Sequence, residues 1–500
     1  MATEEKEVRQ EAAAAVEERE EKGLLDQIIE EGRLAREATQ KTWARDIIGE
    51  LVSQIMAGTI TVSKDTVAMI NARISAIDHL VSKQLNEVMH HPDFQKLEGS
   101  WRGLHYLVNK SETGERMKLR VMNVSKTELL KDMEKAAEFD QSALFKKVYE
   151  EEYGMFGGAS FGALIGDYEF SNHPQDLSLL EKVSGVAAAA HAPFIAAASP
   201  KLLNLDSFTN LGTPRDLAKI FQSVEYAKWK SFRDSDDSKY VGLTLPHILM
   251  RLPYGRDNVP VESFNFEEDV SGTDHSKYLW ANAAYALGAR LTDAFAKYSW
   301  CAAIRGVEGG GLVEGLPVHT FRTDEGDVAL KCPTEIAITD RREKELADLG
   351  FLSLVHRKGT GDAVFYSAQS CQKARRYDTE EATSSARLST QLQYLLCVSR
   401  FAHYLKVMMR DKTGKHMTAS EVERYLSSWL AEYCLANPES AGPEAQARKP
   451  LKDGQVKVRE KRSKPGTYEA VIHLQPHFML DEVNVHLRLV TELPPPAARA

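Results

Sequence analysis

The sequence predicts a mixed α/β (α+β) protein with several domains. Its 500 residues are more than one compact core usually holds. Segments with helical periodicity alternate with short apolar segments rich in β-branched residues, which is typical of mixed α/β architecture. Hydrophobic residues make up 43% of the chain and charged residues 27%, so there is enough apolar surface for a sizeable core.

The charge balance and the N-terminus narrow the classes of partner. A formal net charge of −9 disfavours nucleic acid, because a phosphate-binding surface needs clustered Lys and Arg. The first residues lack the basic start and apolar core of a secretion signal. No stretch approaches the ~20 apolar residues that a membrane helix requires. We therefore expect a cytosolic protein without direct membrane insertion.

Residues 1–40 are predicted to be a mobile N-terminal tail. The first 22 residues are almost all charged or alanine, and they cannot bury enough apolar surface to offset the entropy of ordering. A short amphipathic helix follows, whose apolar residues are Leu24, Leu25, Ile28, Ile29 and, near its end, Leu34. Its apolar face suits either a partner's groove or the protein's own core, and the pattern alone does not separate the two.

Residues 41–92 are predicted to be helical. Residues 43–57 form an amphipathic helix that Gly58 ends, and a short β-branched run follows at 59–62. A longer helix is expected from about Asp65 to His90, and Pro92 stops it. Its apolar residues recur every three or four positions, at Val67, Ile70, Ile74, Ile77 and Val81.

Residues 93–378 are predicted to form an α/β body. Helices are expected at 126–153, at 177–191 and from about 280 to 301. Strands are expected at 104–108, 118–124, 193–199, 335–339 and 351–357, the last pairing with 363–370. The glycine-rich segment 156–170 is interpreted as a buried strand whose glycines permit close packing.

Residues 379–500 are predicted to form a C-terminal domain. A long helix spans 387–409, and a second begins at Thr418 with a capping box that Glu421 completes. The exposed flanks of the second helix are acidic on balance, through Glu421, Glu423 and Glu432. Three strands close the chain, and the last alternates strictly, with Val483, Val485, Leu487 and Leu489 on one face. A strand so near the end of the sequence can be lent to a neighbour's sheet edge.

No local motif indicates a catalytic, cofactor-binding or metal-binding site. GASFG at 158–162 matches the nucleophile-elbow pattern, but the predicted helix before it and strand after it reverse the order that would expose Ser160. The glycine-rich loop at 306–315 lacks the Lys-Ser or Lys-Thr of a phosphate-binding loop. The histidines are scattered, and the five cysteines form no CxxC pair, so we expect neither a zinc site nor a disulfide framework.

Several blocks resemble the large subunit of the type VI secretion contractile sheath, the TssC/VipB family. They follow one another in order from about residue 45 almost to the end of the chain, and together they are specific although none is catalytic. The blocks are HPDFQKLEGSWRGLHYLV, LIGDYEFSNHP, PFIAAASP, FRDSDDSKYVGLTLPHILMRLPYG, FNFEE, YLWANAAYALGARLTDAF and PGTYEAVIHLQPHFMLDEVNVHLRLVTELP.

The resemblance implies a contractile-tail-sheath fold with a C-terminal sheath domain whose last strands are shared between subunits. The implied partners are a small sheath subunit of the TssB/VipA type, other copies of the chain, the Hcp tube, the ClpV AAA+ unfoldase and baseplate components. The sheath would lie in the bacterial cytoplasm on a membrane-anchored baseplate, and its contraction would propel the tube.

The same resemblance suggests roles for three parts of the chain. Residues 24–34 would bind ClpV, 483–490 would be the inter-subunit strand, and the helix from Thr418 is a candidate for the face that meets the tube. The helices at 43–56 and 65–90 are candidates for the small-subunit interface, or pack within the chain. The alternatives are a single-chain sheath protein of a phage tail or pyocin, and a cytosolic enzyme that uses Ser160 or the glycine-rich loop.

Overall fold

The computed structural model describes most of the chain between residues 38 and 477. The described residues are 38–56, 66–213, 216–256, 258–262, 264–270, 274–322, 328–435, 437, 441–460 and 468–477. They fall into two compact units, one comprising residues up to Gln84 with Glu262–Phe266, and the other Leu85–Val261 with Glu267 onward. In the described part of the chain, no helix combines the length and hydropathy needed to cross a membrane.

Helices and strands alternate along the chain as the periodicity of its apolar residues predicts. The helices are α1 Ala38–Met56, α2 Thr66–Met89, α3 Pro92–Asn109, α4 Lys126–Lys135, α5 Ala143–Phe145, α6 Pro174–Ala190, α7 Leu217–Gln222, α8 Ala227–Asp234, α9 Ala284–Tyr298, α10 Asp340–Asp348, α11 Glu380–Ser389, α12 Leu392–Asp411, α13 Ala419–Ala431 and α14 Pro443–Arg448. The strands are β1 Leu164–Phe170, β2 Phe194–Ala198, β3 Val241–Leu245, β4 Ile248–Leu249, β5 Trp280–Ala281, β6 Leu312–Val313, β7 His319–Arg322, β8 Val328–Lys331, β9 Phe351–His356, β10 Ala363–Phe365, β11 Leu451–Glu460 and β12 Tyr468–Pro476.

A six-stranded sheet organises the body, in the order β1-β2-β3-β9-β10-β6. The first four strands are parallel, and β10 and β6 continue the sheet antiparallel. Every residue of β2 and β3 is buried, as expected of parallel strands covered on both faces. The helices α6 and α9 pack on this sheet, so the main hydrophobic core runs through the body on both sides of β2 and β3.

Local sequence explains where the body helices begin. Both α3 and α6 start with proline in the first turn, where its missing N–H is not needed, after a histidine whose Nδ1 accepts a backbone N–H. In α4, Ser125 and Glu128 form a complete capping box. These signals are local, so the sequence itself marks where the three helices begin.

Most predicted elements of the body and C-terminal region are confirmed. The glycine-rich segment contains β1, where a Cβ on Gly166 would lie 2.5 Å from the Phe194 ring, so glycine is required there for β1 to approach β2. Strands β9 and β10 pair across 358–362 as expected. The helix predicted from about 280 to 301 is α9, and two of the three predicted C-terminal strands form the β11–β12 hairpin.

Two predicted strands before β1 are wrong. Residues 104–108 lie inside α3, because Gly99, Gly103 and Leu107 recur every four residues and form the face of α3 that is buried. Residues 118–124 have no strand partner among the described residues. There Leu119 packs against the small cluster of Leu107, Tyr285 and Ala289, and the carbonyl of Val124 accepts a hydrogen bond from the Tyr168 hydroxyl, so side-chain contacts and not a strand ladder hold this segment.

Three other predictions need correction. The strand at 335–339 is absent, and only Thr334 forms an isolated bridge with Ile248. The helix predicted at 126–153 breaks after α4, since the Asp132 carboxylate accepts backbone N–H groups at the start of α5, and a π-helical segment, Lys146–Gly154, then follows. The helix predicted at 387–409 divides into α11 and α12 at Gln391, whose extended backbone bridges to Gln369.

A second hydrophobic cluster lies in the C-terminal region. It is built by the second half of α12, by α13 and by the β11–β12 hairpin. The first half of α12 contributes Leu392, Leu395 and Leu396 to the main core, whereas Cys397, Phe401 and Leu405 belong to the second cluster. One continuous helix therefore joins the two cores. The predicted boundaries at residues 40, 92 and 378 stay predictions.

Candidate assembly surfaces

The helix α13 has the amphipathic form that the sequence predicts. The Thr418 hydroxyl accepts the N–H of Glu421, and the Glu421 carboxylate accepts the N–H of Thr418 at 2.8 Å, which completes the capping box. The side chains of Val422, Leu426 and Leu430 are buried in the second cluster. The apolar face of α13 is therefore buried against the protein's own hairpin, and its polar side faces outward.

The three acidic residues of this region have different environments. Glu421 is exposed, and the hydrogen bonds from Thr418 lower its pKa. Glu423 is half-buried, and its Oε2 accepts the backbone N–H of Val458 in β11 at 3.0 Å. Glu432 is exposed at the C-terminal end of the helix. The structure therefore places all three on one helix but ties two of them into the fold.

Aromatic rings lock α12 against α13. The ring of Trp300 stacks on Phe401 with centroids 4.0 Å apart, and Tyr433 meets both rings edge-on. Trp429 lies edge-on to Phe401 at 5.8 Å and to Tyr433 at 5.1 Å. Offset and edge-to-face contacts of this kind add to the hydrophobic gain, so the second cluster is a packed unit and not a loose extension.

The helix α2 exposes its apolar face. Val67, Ile70, Ile74, Ile77 and Val81 are 67%, 44%, 51%, 52% and 42% exposed, respectively. Their spacing of three and four residues, with a β-branched side chain at each position, is that of a helix that packs into another helix by knobs into holes. A row of this length is rarely left in water, so the face is a candidate interaction surface.

A polar cleft of about 830 Å³ lies at the carboxyl ends of β1, β2 and β3. Its centre is His247, whose Nδ1 lies 2.6 Å from an oxygen of Glu335 and whose Nε2 lies 3.0 Å from an oxygen of Glu169. His275 lies 3.6 Å from Glu335 and stacks on Trp280. In open parallel sheets this edge is where ligands usually bind.

The electrostatics of the cleft are those of a structural ion pair. Burial alone would lower the pKa of His247, but the hydrogen bonds and charges of Glu169 and Glu335 outweigh it and raise that pKa to about 10. Burial alone would raise the pKa of Glu335, but the imidazoles of His247 and His275 lower it to about 2. An imidazolium held between two carboxylates has no free nitrogen to act as a base.

The described residues hold little else that resembles an active site. Ser160 lies in the loop between the π-helical segment and β1, so the element order is the reverse of a nucleophile elbow. Within the described part of the chain, no group of three or more His, Cys, Asp or Glu residues is arranged to hold a metal ion.

Sequence patterns missed a buried charge network in the body. Arg251 donates to Glu98 of α3 at 2.8 Å and to both oxygens of Glu268, at 2.6 and 3.0 Å. His90, just after α2, lies 3.3 Å from Glu268. Glu98 and Arg251 are 153 positions apart, so no local spacing could signal the pairing. The network joins His90, α3 and the segments of Arg251 and Glu268 within one compact unit.

Two predicted assembly segments lie outside the described residues. These are the segment with Leu24, Leu25, Ile28, Ile29 and Leu34, and the terminal strand with Val483, Val485, Leu487 and Leu489. Their roles stay predictions.

Comparison with known proteins identifies the family. Residues 71–372 match the family described as VipB, "EvpB/VC_A0108, tail sheath N-terminal domain". Residues 381–493 match its companion, VipB_2, described as the "tail sheath gpW/gp25-like domain". The "Type VI secretion system sheath protein TssC1" of Pseudomonas aeruginosa is 48% identical over 473 residues, which is 94% of each chain.

The chain belongs to the VipB family of type VI secretion sheath proteins. Its role is that of the large sheath subunit, a structural protein. The resemblance drawn from the sequence blocks is confirmed.

Two solved structures are similar at lower identity. A chain of the anti-feeding prophage baseplate aligns with a TM-score of 0.35 at 10% identity, over 63% of this VipB-family chain and 66%, just under two thirds, of that one. A chain of the contracted helical sheath of the same prophage aligns with a TM-score of 0.30 at 10% identity, over 63% of this chain and 74% of that one.

Proposed function

We propose that this sheath subunit works by assembly and not by catalysis. It pairs with a small subunit of the TssB/VipA type, polymerises with further copies around an Hcp tube, and contracts to propel the tube. The sheath stands in the bacterial cytoplasm on a membrane-anchored baseplate, whose components it contacts at one end. The observation that carries this proposal is the exposed apolar face of α2, which no other described part of the chain covers.

The size of that face is enough to drive pairing. Fully burying an aliphatic side chain stabilises by about 1.5–3 kcal/mol, and the five residues of the α2 row are on average about half exposed. Covering the row with one partner helix therefore gains about 5 kcal/mol before the entropy of association. This supports a helix of the small subunit as the occupant.

The proposal is tested by co-expressing the chain with a TssB-type subunit. We expect Ile74→Asp and Ile77→Asp to abolish co-purification of the small subunit, because each places a carboxylate in the apolar seam. His79→Asp, exposed on the opposite side of α2, is the matched control and should pair normally. Negative-stain microscopy should then show hollow tubules for wild type and control only. Normal pairing of the Ile variants would refute the assignment of α2.

ClpV recognition is assigned to the N-terminal tail. The segment carries its apolar residues on one helical face, which suits the groove of a partner. A chain lacking residues 1–35 should form sheaths that contract but are no longer bound by ClpV in a pull-down. Undiminished ClpV binding to contracted sheaths of this variant would remove the assignment.

Sharing of the terminal strand, with Val483, Val485, Leu487 and Leu489 on its apolar face, connects successive subunits. Backbone hydrogen bonds to a neighbour's sheet would hold through rotation of the subunits, because a ladder does not depend on side-chain register alone. The α13 face with Glu421, Glu423 and Glu432 is assigned to the tube.

A further inference from the structure

The hydrogen bonds of the β11–β12 hairpin show which backbone groups face outward. In an antiparallel pair, residues alternate between those bonded to the partner strand and those pointing away from it. Val458 donates its N–H to Glu423 and stands opposite Ala470, so this is a pair that is not bonded across the ladder. It follows from the alternation that Ala470 and Ile472 turn their N–H and C=O toward the outer edge of β12.

The outer edge of β11 is closed at two points. At its start, Leu451 donates to the carbonyl of Tyr433 and accepts from the N–H of Leu435, which makes a short parallel bridge. Towards its end, the Glu423 carboxylate occupies the N–H of Val458. Between these points only the outward groups of Gly454 and Val456 lie along the edge, so β11 offers a much shorter run of outward groups than β12.

The outer edge of β12 has no such cover within the described residues. The helix α13 buries Val456 and Val458 of β11, whereas the side chains of Tyr468, Ile472 and Leu474 on the same face of the hairpin are only half-buried. A strand added at this edge would therefore extend the apolar face that Tyr468, Ile472 and Leu474 form.

The end of the sequence fits this edge on both faces. The described chain ends at His477, and the sequence continues through a segment that alternates Val, Val, Leu and Leu with Asn484, His486 and Arg488. The apolar face would continue the half-buried row of β12. The polar face would lie beside Glu469, which is exposed on the solvent side of β12 and offers Arg488 an opposite charge.

We propose that Glu423 is an edge guard: its carboxylate closes β11 to strand addition and directs segment 483–490 of a second copy onto β12. This rests on the proposed sharing of the terminal strand. Strand exchange then has one acceptor edge per subunit, so chains link in a single direction and cannot add strands on both sides of the hairpin.

Photo-crosslinking in assembled sheaths tests the proposal. A benzophenone amino acid is placed either at Val471 in β12 or at Lys457 in β11, which stand opposite each other in the register and are both exposed. Neighbouring strands are about 4.8 Å apart, so a strand added at one edge is one strand spacing closer to the near probe. Mixing isotope-labelled and unlabelled copies tells crosslinks between copies from those within one.

The probe at Val471 should capture peptides from 483–490 of a second copy several-fold more than the probe at Lys457. Glu423→Ala should raise capture at Lys457 several-fold, and Glu423→Gln, which keeps an acceptor oxygen, should restore the wild-type pattern. Equal capture at both probes in wild-type sheaths, or no effect of Glu423→Ala, would show that Glu423 does not close β11. Neither result would contradict the proposed function of the sheath. Crosslinks found only within one copy would show that the strand added to β12 comes from the same copy, which contradicts the proposal. Sheaths in which neither probe captures 483–490 refute the proposed strand sharing itself.

Discussion

Replacing Glu335 by Gln should weaken the body, and the loss should depend on pH. The substitution keeps the shape of the side chain but removes the charge that faces His247 at 2.6 Å. His247 would retain Glu169 as its only carboxylate partner among the residues it contacts in the cleft. The three side chains join β1, the loop after β3 and the segment before α10, so their pairing ties distant parts of the body together.

The pKa of Glu335 sets the size of the effect. Its fall from the ordinary 4.5 to about 2 corresponds to about 3 kcal/mol at 1.36 kcal/mol per pKa unit. Its side chain is 8% exposed, so solvent screening reduces this little. The larger shift of His247, to about 10, includes the pair with Glu169 and therefore exceeds what this substitution removes.

The sign of each shift gives the pH window. The lowered pKa of Glu335 contributes stability that is present above pH ~4.5 and lost as the pH falls toward 2. The raised pKa of His247 contributes stability that is full below pH ~6.5 and lost as the pH rises toward 10. The wild type should therefore exceed Glu335→Gln most between pH 4.5 and 6.5.

Thermal unfolding of the complex with the small subunit, followed by circular dichroism from pH 5 to pH 10, measures this difference. The midpoint of Glu335→Gln should lie well below that of wild type at pH 6, and the two should converge by pH 10. A gap that is the same at pH 6 and pH 10 would show that the charge pair is not its origin.

Three further substitutions test other parts of the fold by the same measurement. Arg251→Ala removes the guanidinium that Glu98 and the buried Glu268 share, and leaves Glu98 with Arg102 and Glu268 with His90, so it should cost about 3 kcal/mol; folding as stable as wild type would contradict the network. Gly103→Ala places a Cβ 2.4 Å from the Tyr285 ring and should cost about 1–3 kcal/mol, while Gly114→Ala, with open space around it, should be neutral. Glu343→Gln should be neutral or stabilising at pH 7, because burial raises the pKa of this carboxyl and its charged form is costly; a large loss would refute this reading.

Sequence predicted the elements whose signals are local. The start of α13 carried its own capping box, and the alternation of β11 and β12 matched a hairpin whose two faces differ in burial. Prediction from the sequence failed where one segment fitted two patterns. Residues 104–108 are apolar enough for a strand, but Gly103 and Leu107 belong to a helical face that packs on Tyr285, which is far along the chain.

The polar contacts were beyond local patterns for the same reason. His247 meets Glu169 and Glu335 across separations of 78 and 88 residues, so neither the cleft nor its charges had a signature in spacing. The hydrogen bond from Val458 to Glu423 could not be predicted either, because a glutamate on the flank of a helix is expected to be solvated unless its contact with a strand edge is known. The apolar face of α2, in contrast, could be predicted because its pattern lies within one helix.

The tube-facing assignment of α13 is best tested through Glu432 alone. Reversing Glu421 would also break the capping box, and reversing Glu423 would remove the acceptor for Val458, so a triple reversal mixes folding with recognition. Glu432 lies at the C-terminal end of the helix, where a cation is favoured by the helix dipole, so Glu432→Lys should fold at least as well as wild type. If α13 faces the tube, this variant should form a soluble complex with the small subunit but assemble poorly on Hcp tubes in a sedimentation assay, with Glu432→Asp as the charge-preserving control. Assembly of Glu432→Lys at the wild-type level would place the tube contact elsewhere on the sheath.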